Sequence, residues 1–210
     1  MPETSLATSP ERPLTGVVLA GGMSTRLGRD KTTLRLHGGL EMVLHMAELL
    51  ERLTPVVWIS CRPGKPRFTE NYKHVFDEVE GMGPFGGVIT ALRHARGPVL
   101  VAPCDLPFMD QCTLESLVER WRRREPETLM TTFLQRATGY IEALVSIYEH
   151  EALARFEEAL NQGNRKIYQV VPPERRSHVP YEPHEARPFF NINSPEDLES
   201  ARQILGTELS

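Results

Sequence analysis

Three cysteines in 210 residues, Cys61, Cys104 and Cys112, make an odd number without metal-ligand spacing. That argues against a disulfide framework and a cysteine metal site, and for a reduced compartment. No apolar run reaches membrane-spanning length. Residues 1–13 are polar and Pro-containing and lack the apolar stretch of a signal peptide. An excess of positive charge is missing too: the formal net charge of -4 argues against a general nucleic-acid binder, while leaving room for a local basic pocket. Repeats, low-complexity tracts and internal linkers are absent. Together these absences predict a cytoplasmic protein with no nucleic-acid or membrane partner, built as a mobile tail over 1–13 and a single domain over 14–210.

What is present reads as alternating strands and helices, with 40% hydrophobic and 25% charged residues, ordinary for a globular chain. Val17-Val18-Leu19, Val56-Val57-Trp58-Ile59 and Val99-Leu100-Val101 are apolar runs of buried-strand length. Between the first two, Met42, Val43, Met46, Leu49, Leu50 and Leu53 recur at helical spacing and predict a βαβ crossover. A second amphipathic helix is expected over 113–124. Its cationic end, Arg122-Arg123-Arg124, reads as a solvated terminus matched to the helix dipole. Pro172 to Pro188 reads as irregular, and Phe189 to Asn193 as a short strand. Ser194 is expected to cap a final helix with Pro195 at its first position.

Chemistry gathers where strands end. The first strand runs into Gly21-Gly22, and Arg26 and Lys31 follow. Glycines let backbone N–H groups lie against an anion, and the two cations can meet phosphate oxygens. A Walker A loop is excluded because Gly28 is followed by Arg29 and Asp30 before Lys31, and G-x-G-x-x-G fails because the glycines are adjacent. The alternative is a Gly-rich turn with two solvated cations. Asp77, at the tip of Val75-Phe76, suits either a ribose or base contact or a local cap. Gly86 and Gly87 would let a ligand approach a helix start. Asp105 sits between Pro103 and Pro107, which keep a helix from consuming the turn. A carboxylate at a sheet edge beside a phosphate loop suits Mg²⁺, which takes one or two carboxylates and completes its shell with phosphate and water; the alternative is a turn residue or helix cap.

Four ordered motifs resemble one family. L-A-G-G-M-S-T-R-L-G-R-D-K, G-M-G-P-F-G-G, V-A-P-C-D-L-P and N-I-N-S-P-E-D-L are similar to the signatures of molybdenum cofactor guanylyltransferases of the MobA type. The resemblance implies a Rossmann-like, three-layer α/β domain with a central, mostly parallel sheet. It implies that Leu19, Ala20, Gly21 and Gly22 contact GTP, that Lys31 binds its phosphates, that Ser60 and Asp77 seat the nucleoside, and that Asp105 holds Mg²⁺. Arg26 joins Lys31 and Asp105 in the catalytic set as a phosphate ligand. The implied reaction joins GMP to molybdenum-bound molybdopterin and releases pyrophosphate, with cofactor-insertion chaperones or molybdoenzymes as downstream partners. Arg165 and Lys166 are candidates for the pterin phosphate; the alternative is a pair of solvated loop charges. Ser60-Cys61-Arg62 stands where S-A-N or N-A-N is usual, and Glu142-Ala143-Leu144 where H-P-L or Q-P-L is common. Alternatives are a nucleotidyltransferase using CTP on the same pterin or an NTP on a sugar phosphate, or a non-catalytic nucleotide-binding homologue.

Overall fold

The apolar runs assemble side by side. In a computed structural model, which describes residues 12–21, 34, 40–62, 71–78 and 81–205, strands β1 (Thr15–Leu19), β2 (Val56–Cys61), β3 (Lys73–Phe76), β4 (Val99–Pro103), β5 (Met130–Gln135), β6 (Ile141–Tyr148) and β7 (Arg176–Tyr181) form one sheet. Their order is β3-β2-β1-β4-β6-β5-β7. β1 pairs in parallel with β2 and β4, β2 with β3, and β5 with β7. Only β6 runs against its neighbours. The reason is local: a short turn joins β5 to β6, with Gly139 at φ 71° and Gln135 N–H donating to Tyr140 O. A link that short permits only an antiparallel return.

Helices cover both faces, as the β1 pattern requires. Val18 points to one layer and Val17 and Leu19 to the other, the two-residue period of a strand. Beneath Val18 lie α1 (Met42–Glu51) and α3 (Gln111–Arg122); beneath Val17 lie α2 (Pro84–Ala95), α4 (Leu153–Asn161) and the short α5 (Ile167–Val170). The expected crossover helix is therefore α1, and truncating its wholly buried Leu50 to Ala should cost about 2–5 kcal/mol. The three-layer, mostly parallel α/β class expected from the sequence is the observed one.

Two expectations at the carboxyl end are corrected. Pro172 to Pro188 is not wholly irregular, because it contains β7. As an edge strand β7 pairs only with β5, so it tolerates Pro180, which lacks a donor for a second ladder. Conversely, Phe189 to Asn193 forms no strand: the chain enters it from a 3₁₀ turn over Arg187–Phe189, and its rings go into packing. Phe189 packs instead on Tyr181 and Phe133, with ring centroids 4.7 and 4.8 Å away, and Phe190 on Phe108 at 5.6 Å. Helix α6 (Pro195–Leu205) then begins as expected, with Asp197 N–H donating to Ser194 Oγ and Ser194 N–H to Asp197 Oδ2.

Candidate active site

The strand order places a crevice between β1 and β4, because the chain leaves β1 toward β2 on one side and reaches β4 on the other. Open α/β sheets bind ligands at the carboxyl ends of strands beside such a switch point. Here the ends are in register: Leu19 lies opposite Ser60 and Pro103. Backbone bonds carry the pairing past the strands, with Ala20 N–H donating to Ser60 O (2.8 Å), Cys104 N–H to Leu19 O (3.2 Å) and Asp77 N–H to Cys61 O (3.1 Å). Gly21, Asp77 and Asp105 therefore leave the same edge.

On the β3 side of that crevice the contacts are tight. Ser60 Oγ donates to Asp77 Oδ1 at 2.7 Å. A Cβ on Gly21 would fall 2.7 Å from Asp77 Oδ2. One on Gly87, in the first turn of α2, would fall 2.8 Å from Ser60 Oγ and 3.0 Å from Leu19 Cδ2. Leu19, Gly21, Ser60, Asp77 and Gly87 thus form one cradle, closed by backbone where side chains would fill it. Burial pushes the Asp77 carboxyl above its ordinary value, opposed by the Ser60 hydroxyl and the Arg62 guanidinium. Burial, with Asp77 nearby, also raises the Cys61 thiol to about 11. Cys61 is therefore a protonated packing residue at neutral pH, not a nucleophile.

Asp105 follows β4 at the other lip. Cys104 is buried in the core beneath the turn. The Asp105 carbonyl accepts from Ile192 N–H at 3.0 Å, so the N-I-N segment is tied to the Asp105 turn. Its Oδ1 is shielded from solvent while the residue as a whole is half-buried. Among the described residues no cluster of three or more His, Cys, Asp or Glu forms a metal cage. One carboxylate at a sheet edge fits a hard cation that draws its remaining oxygens from phosphate and water, and does not fit structural zinc. Gly22, Arg26 and Lys31 lie outside the described residues.

Beyond Asp105 the same edge opens into a cavity of about 670 Å³ whose lining includes Phe108, Tyr140, Glu142, Tyr181, Arg187 and Phe190. Sequence reading missed it, since its walls come from β6, β7 and the aromatic segment after β7. Arg165 and Lys166 are exposed after α4 and do not line it. Among the described residues, no helix is long and apolar enough to cross a membrane.

Comparison with known proteins agrees with this geometry. A family model described as a MobA-like NTP transferase domain matches residues 16–179. The chain is 31% identical over 196 residues to a probable molybdenum cofactor guanylyltransferase of Mycobacterium tuberculosis, covering 91% of this chain and 94% of the relative. A relative of the same description from Pyrococcus furiosus is 29% identical over 196 residues, covering 90% and 97% of the two chains. The crystal structure of molybdopterin-guanine dinucleotide biosynthesis protein A from Archaeoglobus fulgidus is similar with a TM-score of 0.70 at 29% identity, covering 92% of this chain and 98% of that one.

Proposed function

The chain belongs to the MobA-like NTP transferase family, and on that premise we propose that this nucleotidyltransferase moves GMP from GTP onto molybdenum-bound molybdopterin. The product is the guanine dinucleotide form of the cofactor, and pyrophosphate leaves. The observation that carries the reading is the convergence of Gly21, Asp77 and Asp105 at the carboxyl edge of β3, β2, β1 and β4.

In this reading the cradle of Leu19, Ala20, Gly21, Ser60 and Asp77 seats the nucleotide, and Gly22 contacts it as well. Arg26 and Lys31 meet the phosphates, and Asp105 would hold Mg²⁺, which when bound would supply charge neutralisation for them. A terminal phosphate oxygen of the pterin attacks the α-phosphorus. The bond from that phosphorus to the bridging oxygen breaks, and the electron pair leaves with pyrophosphate. The nucleophile is already ionised, so the protein needs no strong base; it must hold the groups in line and balance charge. The aromatic cavity beyond Asp105 receives the pterin. Delivery of the product to insertion chaperones or molybdoenzymes belongs to the same proposal.

The test is pyrophosphate release with GTP, CTP or ATP in the presence of molybdenum-loaded molybdopterin and Mg²⁺. The expected result is GTP turnover about 10²-fold above the other two. Preference for CTP, or no release with any nucleotide, overturns the reading.

A further inference from the structure

Glu142 is costly where it stands. It is half-buried near the start of β6, and its side chain lines the aromatic cavity beyond Asp105. Tyr181 O–H donates to its Oε1 at 2.6 Å. Among the described residues no donor reaches Oε2 and no cation comes within ion-pair distance, although Arg187 shares the cavity and stacks its guanidinium 4.9 Å over Phe108. Partial burial disfavours the charge, and Oε2 keeps its acceptor capacity turned to the cavity, where an occupant could supply donors. Packing does not require it, since an uncharged side chain of the same length would accept the Tyr181 bond equally well. Around it stand flat faces suited to a planar ring, among them Tyr181 and Tyr140, the latter 61% exposed at the rim.

We propose that the Glu142 carboxylate reads the second substrate's ring, accepting the adjacent N–H and NH₂ donors of a 2-amino-4-oxopyrimidine edge in the cavity walled by Phe108, Tyr140, Tyr181 and Phe190. This rests on the proposed transfer to a pterin. Two parallel donors on one planar edge match the two oxygens of one carboxylate, as a guanidinium does. The Tyr181 hydroxyl occupies one acceptor site on Oε1 and leaves Oε2 to the cavity. Guanine carries the same edge, so the source of the ring is decided by competition.

The experiment uses the full chain and fluorescence titration with 6-hydroxymethylpterin and with 6-hydroxymethyllumazine, in which an oxo group replaces the 2-amino donor. Wild type should bind the pterin at least about tenfold more tightly than the lumazine. Glu142→Gln should reduce that preference to less than about twofold, with GTP affinity retained and the melting temperature not lowered. Tyr181→Phe, which leaves the carboxylate in place, should keep most of the preference. Equal binding of the two rings by wild type, a preference surviving in Glu142→Gln, binding of neither ring, or displacement of the pterin by guanosine at equal concentration overturns the inference. The ring comparison on wild type decides the matter even if the variant fails to fold. Guanylyl transfer to the loaded cofactor is measured alongside: transfer without ring preference leaves the proposed function standing and removes Glu142, whereas loss of both removes the function itself.

Discussion

Two glutamates bracket β6, and they have been treated in opposite ways. Glu149, one residue past its end at the amino edge of the sheet, is 8% exposed. Its carboxylate takes Trp121 Nε1–H and the Arg124 guanidinium, both at 2.6 Å, and Arg124 stacks 4.6 Å over the same indole. The cationic end of α3 was expected to be solvated; instead Arg124 is drawn into this clasp, because a buried carboxylate needs a charged donor. Glu142, at the opposite edge, has Tyr181 and an open cavity. The difference separates architecture from site. The fold completes the bonds of Glu149 and leaves Glu142 an acceptor turned to the cavity.

The largest effect expected from this contrast is catalytic. Asp105→Asn at the carboxyl edge should lower kcat by about 10³-fold while leaving the urea midpoint near wild type, since the backbone bond to Ile192 remains. Full activity in that variant would break the contrast. Glu149→Ala should do the reverse: it strands the half-buried Arg124 and the Trp121 donor at a cost of about 3 kcal/mol in urea unfolding, with turnover per folded molecule unchanged. A smaller change follows from Gly87→Ala, whose Cβ would displace Ser60 from Asp77 and weaken GTP binding about tenfold by calorimetry. An unchanged dissociation constant would remove the cradle from nucleotide binding.

The smallest effect concerns pH. Burial raises the folded Glu142 carboxyl above its unfolded value, with the Tyr181 bond opposing the shift. Above the raised value the charged group lowers stability relative to a neutral one. That cost diminishes as pH falls through the folded value and is gone below the unfolded one. Glu142→Gln should therefore stabilise the protein at pH 7 by less than about 1 kcal/mol, a gain that fades on acidification into the glutamate range. A gain constant with pH would contradict the assigned burden.

Much of this was legible because local signals agreed with the fold. Val17 to Leu19 and Val99 to Val101 are apolar throughout since both faces of their sheet are covered. Asp105 stood out because two prolines bracket it. The β7 strand was hidden, since Arg176-Ser177-His178-Val179-Pro180-Tyr181 carries polar side chains and a proline that only an edge tolerates. The Glu142 environment was hidden for another reason: its partner Tyr181 lies 39 residues away and meets it only through pairing of β5 with both β6 and β7. Gly87 was visible as a close-approach glycine, but its neighbours Ser60 and Leu19 come from other strands.

A second cavity, about 610 Å³ and lined by Arg12, Arg96, Arg124, Glu149 and Glu151 among others, lies at the amino edge. Diffraction from crystals grown with a non-hydrolysable GTP analogue and Mn²⁺ decides between the two edges directly. The account predicts an anomalous peak bonded to the Asp105 carboxylate, with the phosphates against Gly21. A peak and nucleotide lodged among Arg12, Arg96 and Arg124, with Asp105 uninvolved, would contradict it.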